Sequence, residues 1–246
     1  MEQRTELKLS AAERPTREPK VEQPQGEIRE VVPDNRRDIA TVAKLHMALF
    51  QDMGPVAQLG ELFVRDYCYR ALIRTGLIWA ALYEVDGQPA GMIAYTDCSI
   101  SFHRSAIRQH WLYIGWLLAL SLIRAPSMVM RLPKAVRLML SRRAEDRVIG
   151  EDPLAEVLAV GVLPEYRSSQ FMRQTGLRIG DELQEYVIDF FRHAGLKTVR
   201  MVVDAANTTA LVFWHRVGGR FEPYEHGGVP SVQIWLDLGQ ETGSAR

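Results

Sequence analysis

The sequence predicts a single domain of the α/β class, because apolar strand patterns alternate along it with amphipathic helix patterns. Two segments give the clearest signal. The segment Ala155–Arg167 is an apolar strand that runs into a polar loop, and the segment Asn207–Phe221 is a helix that begins with an asparagine and follows another strand. A chain of 246 residues with 47% hydrophobic content can bury one substantial core, and its length does not require a second domain.

The elements of the N-terminal half follow from local patterns. A first strand is predicted near Glu27–Val32, and turn residues then lead into an amphipathic helix. The apolar face of this helix is formed by Ile39, Val42, Leu45 and Leu49. A second helix is predicted over residues 59–75. Two apolar runs at 78–85 and 89–96 flank an Asp86-Gly87 pair, which predicts a β-hairpin with a tight turn.

About fifty residues, 99–152, separate this hairpin from the next strand and are predicted to be helical. Their centre, Trp111–Ile123, carries no charge but is shorter than the ~20 residues that a membrane-spanning helix needs. Beyond Pro126, a basic amphipathic helix is predicted over Met128–Leu140. Two interpretations stay open: a helical cap or dimer face on the core, or an interfacial patch that contacts a membrane or receives a lipid-like substrate.

The charge balance argues against nucleic acid as the main partner. Thirty basic and thirty acidic residues cancel over the whole chain. Residues 101–150 differ from this average, because nine Lys and Arg face two acidic residues there, a local charge of +7. Contact of this segment with a membrane surface or with a second copy therefore stays among the open interpretations.

Cysteine content and the N-terminal residues bear on the cellular compartment. Cys68 and Cys98 are too few and too isolated for a disulfide framework or a metal site, which suits a reducing environment. Residues 1–25 mix charges with prolines and lack the apolar segment of a signal peptide, so a disordered tail is expected. The expected location is the cytoplasm, with an option of peripheral attachment to the inner face of the membrane.

The two segments described first resemble the acyl-CoA core of the GNAT acyltransferase superfamily. The first segment matches as a strand, loop and helix in that order. The second matches through Asn207, Ala210, the aromatic pair Phe213-Trp214 and the Gly218-Gly219-Arg220 sequence. Strand, two helices and hairpin are also the expected N-terminal half of that fold.

This resemblance covers roughly residues 27–238 and implies a complete domain at 26–240. The implied fold is α/β, with a mixed central sheet of about seven strands flanked by helices. The helical insertion at about 99–152 would lie between strands three and four, where the family normally has a direct connection.

The resemblance also implies how the strand Val157–Val162 holds an acyl donor. A bulge would splay this strand from its neighbour and free backbone N–H groups. Val160, Gly161 and Val162 would then bind the thioester oxygen and the pantetheine amides of acetyl-CoA or another acyl-CoA, with no metal. Gly161 suits a close backbone approach. An ordinary buried strand remains the alternative, because Val and Leu are common in both cases.

The pyrophosphate loop of the family is matched only in part, because no glycine directly follows Arg167. In one register a helix starts near Gln170 and contains Gly176 and Gly180, at a cost of ~1 kcal/mol each relative to alanine. In the favoured register, residues 168–172 extend the loop and a later helix receives the phosphate.

That later helix would run from about Gly176 to His193, with Thr175 as its N-cap. Ile179, Leu183, Val187 and Phe190 would face the sheet. The helix N-terminus would bind the pyrophosphate in either register. The residues implied in this binding are Arg167, Arg173, Thr175, Gly176 and Leu177. A plain amphipathic helix is the alternative.

The resemblance also bears on the residues that would transfer protons. Glu156 matches the carboxylate that histone-acetylating members of the family use as general base, although Glu151 and Asp152 are nearby alternatives. The family's usual tyrosine acid is replaced by Trp214, whose indole N–H is not an acid. Tyr224, His215 or water could protonate the thiolate instead.

Further polar residues have a structural and a functional interpretation each. Asn207 would fix the pantetheine or simply cap its helix, and Trp214 would pack on the pantetheine or in the core. His226 is a candidate for the acceptor pocket. Cys98 and His103 form a conceivable nucleophile and base, but a buried cysteine at a strand end explains Cys98 more simply.

The function implied by the resemblance is an acyl-CoA-dependent acyltransferase, most simply an N-acetyltransferase. The expected acceptor is an amine or hydroxyl of a small molecule or sugar, attacked directly in a ternary complex. A first alternative uses a long-chain donor on CoA or a carrier protein, held in a helical pocket lined by Leu118, Leu120 and Met128. A second alternative is a non-catalytic scaffold that binds a partner or a membrane surface.

Overall fold

The computed structural model of the protein describes residues 24–50, 56–124, 154–226 and 228–239. Within these ranges seven strands form one mixed sheet in the order β1-β2-β3-β4-β5-β7-β6. The strands are β1 (Gly26–Glu30), β2 (Trp79–Val85), β3 (Gln88–Thr96), β4 (Ala155–Val162), β5 (Thr198–Asp204), β6 (Arg220–His226) and β7 (Val229–Asp237). The predicted seven-stranded α/β fold is confirmed. Most of the predicted N-terminal tail and the whole predicted helix Met128–Leu140 lie outside the described residues.

Helices occupy the predicted places, except that a short additional helix precedes the one predicted at 176–193. They are α1 (Arg36–Phe50), α2 (61–74, π-helical over Val64–Ala71), α3 (Ser99–Arg124), α4 (Ser169–Thr175), α5 (Ile179–His193) and α6 (Thr208–Arg216). The predicted apolar face of α1 is confirmed, since Ile39, Val42 and Leu45 are buried. The predicted hairpin is also confirmed: Asp86 and Gly87 both have positive φ, at 49° and 74°, as a tight two-residue turn requires.

The sheet separates two hydrophobic clusters. Strand β3 shows this clearly, because Met92 and Ala94 belong to one cluster while Ile93 and Tyr95 belong to the other. Helices α1, α2 and α3 contribute to the first cluster, and α5 contributes Ile179, Leu183 and Val187 to the second. The sheet face predicted for α5 is thus correct.

The insertion begins as a 26-residue helix, α3, which directly follows β3. Its inner side is buried through Phe102, Ala106 and Leu117. The helix is longer than the uncharged run Trp111–Ile123 because the turns before that run are helical as well. Among the described helices, none is long and apolar enough to cross a membrane.

Candidate functional site

A wedge opens in the middle of the sheet, between the parallel strands β4 and β5. In the described part of the chain these strands pair only at Ala155–Val199, Glu156–Arg200 and Val157–Met201. Strand β4 nevertheless continues to Val162. Its pairing with β3 shifts register at Leu158, which confirms the bulge implied by the resemblance. The β5-facing peptide groups of 158–162 therefore border an opening.

The carboxyl ends of two parallel strands bound this wedge, so the helices that follow them begin beside it. Helix α5 and helix α6 also meet there. A Cβ on Gly180 would lie 3.6 Å from Phe213 Cε2, and the Arg216 guanidinium donates to the Asp181 carboxylate. The wedge thus has a polar rim and a defined wall.

The loop after β4 follows neither predicted register. Residues 168–172, predicted as a loop extension, form the N-cap and first turn of the short helix α4. The Ser168 Oγ accepts the Phe171 N–H at 3.1 Å and so caps this helix. The predicted cap Thr175 is instead the last residue of α4. Its hydroxyl donates to the Phe171 carbonyl at 2.9 Å and accepts the Leu177 N–H at 3.2 Å.

Gly176 separates the two helices. It has φ 76° and closes α4 through its N–H to the Met172 carbonyl. Helix α5 starts three residues later than predicted, at Ile179, and its predicted end at His193 is correct. The Glu182 carboxylate accepts the Arg178 N–H at 3.0 Å, so this backbone donor at the start of α5 is already hydrogen-bonded.

Two arginines predicted to bind pyrophosphate lie near the two ends of α4, Arg167 just before it and Arg173 in its last turn. Arg167 and Arg173 are both exposed, as is Arg178, which forms an ion pair with Asp181 at 3.0 Å. The segment between β4 and α5 therefore presents positive charge at the wedge rim. Whether phosphate binds there stays a prediction.

The packing of helix α1 against β4 leaves room at position 161 only for glycine. A Cβ at this position would lie 2.8 Å from Leu49 Cδ1 and 3.2 Å from Phe50 Cζ, so helix α1 makes the close approach. Val160 and Val162 point to the opposite cluster. The backbone of these three residues borders the wedge, and their contact with an acyl donor stays a prediction.

Glu156 does not lie at an open cleft mouth, where the sequence placed it. Its side chain is 1% exposed and forms an ion pair with Arg200, Oε2 to Nη2, at 2.8 Å. Ser99 donates a hydrogen bond to the same carboxylate and accepts one from Arg200 at 2.6 Å. The three side chains tie β4, β5 and the start of α3 together in the closed part of the sheet.

Asn207 and Trp214 have the structural roles given as alternatives in the sequence analysis, a helix cap and a core residue. The Asn207 Oδ1 accepts the Ala210 N–H at 3.2 Å, which makes it the N-cap of α6. Trp214 is 3% exposed and packs in the cluster beneath α5, next to Phe213. Phe213 is the less buried of the two and faces Gly180.

Tyr224 lies at the open end of the sheet. It pairs with Ser231, which in turn pairs with Asp204 at the carboxyl end of β5. Two strand spacings, about 10 Å, separate Tyr224 from β5. His215 is exposed in the last turn of α6, and Cys98 packs against the Thr96 hydroxyl at 3.3 Å. Among the described residues, no cluster of three or more His, Cys, Asp or Glu could hold a metal ion.

A histidine that the sequence analysis did not single out lies on the α1 side of β4. The His46 Nδ1 is 2.7 Å from the Tyr69 hydroxyl, which in turn contacts the Met92 sulfur at 3.8 Å. Met92 pairs with Gly161 across β3 and β4, so the His46–Tyr69 pair lies beside the diverging half of β4. No spacing rule joins residues 46 and 69, and only the packing of α1 on α2 brings them together.

Burial sets the protonation of this pair. It lowers the pKa of His46 to about 4 and raises the pKa of Tyr69 well above its usual value of 10. At neutral pH the imidazole is therefore uncharged and the phenol keeps its proton. If the imidazole Nδ1–H donates to the Tyr69 oxygen, the Nε2 lone pair is available as a proton acceptor.

The architecture matches that of several solved structures. An agmatine N-acetyltransferase matches with a TM-score of 0.55 at 15% identity, over 86% of this chain and 99% of that one. The PaiA N-acetyltransferase of Thermoplasma acidophilum, solved with coenzyme A, matches with a TM-score of 0.50 at 13% identity, over 87% and 99%. The chain has the GNAT fold. Ard1 from Thermoplasma volcanium matches equally, with a TM-score of 0.50 at 14% identity, over 87% and 99%.

The likeness is one of fold, because sequence identity is low throughout. No protein-family model and no curated protein sequence matches the chain. Nearly the whole length of each of these three structures is covered, so this chain has a full GNAT fold. The open β4–β5 wedge lies in the part of the GNAT fold that the sequence resemblance assigned to the acyl donor.

Proposed function

We propose that the protein is an acyl-CoA-dependent N-acyltransferase that transfers an acyl group, most simply acetyl, directly to a small-molecule amine. The observation that carries this proposal is the wedge between β4 and β5, bounded by the unpaired edge of 158–162 and by a helix start. An open strand edge binds an extended amide chain as an added strand would, and pantetheine is such a chain. A neighbour of the same fold solved with coenzyme A supports this use of the wedge.

The donor's pyrophosphate would lie at the segment between β4 and α5. Arg167 and Arg173 supply positive charge there, and both α4 and α5 begin within this part of the chain with backbone N–H groups in their first turns. Asp181 and Glu182 already occupy the start of α5. We therefore place the phosphate contacts on the arginines and on the Ser168 end of the segment.

In the transfer step, the acceptor nitrogen forms a bond to the thioester carbon while the carbon–sulfur bond breaks and leaves a thiolate. The nitrogen must lose a proton, and the thiolate must gain one. His46 is our candidate for the first role because it lies beside the diverging half of β4 and keeps its imidazole unprotonated at neutral pH; its burial also makes it a weaker base than a free histidine. Glu156, the candidate from sequence, is bound to Arg200 and Ser99 and would act only after rearrangement. Tyr224 remains the candidate for protonating the thiolate.

Isothermal titration with acetyl-CoA tests donor binding. We expect saturable binding by the natural chain and a loss of at least about tenfold in affinity for Arg167→Glu/Arg173→Glu, because two charge reversals repel a pyrophosphate. Arg37→Glu is the matched control, since Arg37 is an exposed arginine near the β1 edge of the sheet. Equal affinities for both variants would contradict the phosphate assignment.

An acceptor screen follows with the same protein, and thiol release from acetyl-CoA is its readout. Agmatine and related amines come first, since a neighbour of the same fold is an agmatine N-acetyltransferase. Sugars and hydroxyl compounds come second.

A long-chain donor is the second candidate function. Support for it comes from α3, where Leu118 and Leu120, two of the three predicted lining residues, are half-buried. Met128, the third, lies outside the described residues. Palmitoyl-CoA in the same titration discriminates the two donors. Tighter binding of palmitoyl-CoA than of acetyl-CoA supports the long-chain reading, whereas no binding of either supports a non-catalytic scaffold.

A further inference from the structure

Helix α3 exposes an unusual amount of apolar surface. Seven large hydrophobic side chains are exposed among the described residues, and four of them lie on this one helix. They are Trp111 at 63%, Leu112 at 67%, Trp116 at 58% and Ile123 at 77% relative exposure. An exposed group of large apolar side chains on one element marks a surface that contacts another molecule or lipid.

These four residues form one continuous face. The opposite side of the helix is buried through Phe102, Ala106, Leu117 and Ser121, which fixes the rotation of α3 on the protein. Trp111–Ile123 spans about 18 Å along the helix axis. Trp116 stacks on Tyr113, with ring centroids 5.9 Å apart and planes at 15°, so the aromatic part of the face is ordered by the helix itself.

The outward side is basic where it is not apolar. Arg104 and Arg108 are exposed in the turns that precede Trp111. No Asp or Glu occurs anywhere in Ser99–Arg124. The sequence beyond it adds Arg131, Lys134, Arg137, Arg142 and Arg143 before the next acidic residue. We call the side formed by Arg104, Arg108, Trp111, Leu112, Trp116 and Ile123 the α3 face.

We propose that the α3 face docks on an anionic lipid bilayer, with the helix lying in the plane of the interface. Tryptophan and aliphatic side chains enter the boundary between headgroups and acyl chains, while arginines bind anionic headgroups. A second copy packed α3 face to α3 face fits less well, because α3 carries no acidic residue to meet Arg104 and Arg108. This docking is independent of the proposed acyl transfer.

Vesicle flotation with the full chain tests the proposal. The probes are vesicles of phosphatidylcholine alone and of equal parts phosphatidylcholine and phosphatidylglycerol. We expect the natural chain to float with the anionic vesicles, and the bound fraction to fall with added salt. Trp111→Ser/Leu112→Ser should partition about tenfold more weakly. The matched control is Val212→Ser, which removes a side chain 69% exposed on α6, away from the α3 face.

Charge is tested separately by Arg104→Gln/Arg108→Gln, with Arg37→Gln as control. Both arginines are exposed, so the fold is expected to be unaffected, and thermal unfolding checks this for every variant. The charge variant should lose its preference for anionic vesicles, while the control keeps it. No flotation of the natural chain, or equal flotation of the α3 variants and controls, would overturn the proposal. Self-association lost in Trp111→Ser/Leu112→Ser, without vesicle binding, would replace the bilayer by a second copy.

Discussion

At the scale of single residues, the fold gives His46 a chemistry that its sequence context does not indicate. The residue is one of six histidines and lies within an ordinary amphipathic helix. Packing on Tyr69 and Phe50 removes water from the imidazole, and the charged form is penalised. The consequence is a neutral histidine beside the diverging half of β4, available for proton transfer at neutral pH.

This burial predicts a specific pH dependence of stability. The folded-state pKa of His46 is about 4, below the unfolded value of 6.5, so between these values the unfolded chain binds a proton that the folded chain does not. Stability should therefore fall as pH drops from 6.5 to 4, by up to about 3 kcal/mol from this residue. Below pH 4 both states are protonated and the loss is complete.

Urea unfolding of the natural chain and of His46→Gln, measured across this pH range, checks the prediction. The variant should show a shallower fall, because glutamine does not titrate. His193→Gln is the control, since His193 is exposed at the end of α5. Parallel curves for all three proteins would contradict the assignment.

At the scale of elements, the break between α4 and α5 shapes the rim of the wedge. Ser168 starts a helix early, and Gly176 ends it after two turns. This short helix places Arg167 and Arg173 at its two ends. A continuous helix from Ser169 would have carried Gly176 and Gly180 in its interior, and Arg173 would then lie in mid-helix instead of at a helix end.

Gly176→Ala should destabilise the protein by about 1 kcal/mol, because φ 76° strains any residue with a Cβ. Nothing lies within 4 Å of that Cβ, so the cost is conformational and not steric. Gly115→Ala is the matched control. It lies within α3 with equally open space, and alanine should stabilise the helix there by about 1 kcal/mol. Thermal or urea unfolding measures both changes, and equal signs would argue against the αL break.

At the scale of the whole molecule, the sheet consists of two parts joined at β4 and β5. Three residue pairs connect them in the described chain, and the buried Glu156–Arg200 ion pair lies in the middle pair. This short contact leaves the wedge open, and the apolar cluster packed around α5 also joins the two parts. Removing one partner of a buried ion pair is costly, because the other charge is then left buried without its counterion.

Glu156→Gln should therefore lower the free energy of unfolding by about 3–5 kcal/mol. Glu156→Leu/Arg200→Met should recover much of this loss, because neither residue then carries a buried charge. Arg74→Met, which removes the exposed pair with Asp34, is the control and should change stability by less than about 1 kcal/mol. A loss as small for Glu156→Gln as for Arg74→Met would show that the joint does not depend on the ion pair.

Much of the fold was predictable because its signals are local. Strand and helix periodicity indicated the first three strands, the apolar face of α1 and the hairpin turn at Asp86-Gly87, and the resemblance implied a sheet of seven strands. The loop after β4 was not predictable to the residue, because Ser168 and Thr175 are both good helix caps and only the observed one fits the chain path. The same limit applied to Asn207 and Trp214. An asparagine there suits a helix cap as well as a pantetheine contact, and a tryptophan suits the core as well.

By itself, the sequence determined most of the order of elements and the basic and apolar character of the insertion, since each depends on neighbours along the chain. Tertiary structure alone decided that Glu156 is bound to Arg200 and Ser99, that Leu49 of α1 explains Gly161, and that His46 meets Tyr69. Those contacts join residues 23 to 112 positions apart in sequence. Burial and charge pairing depend on such contacts, so the chemistry of a side chain is fixed only when the elements have packed.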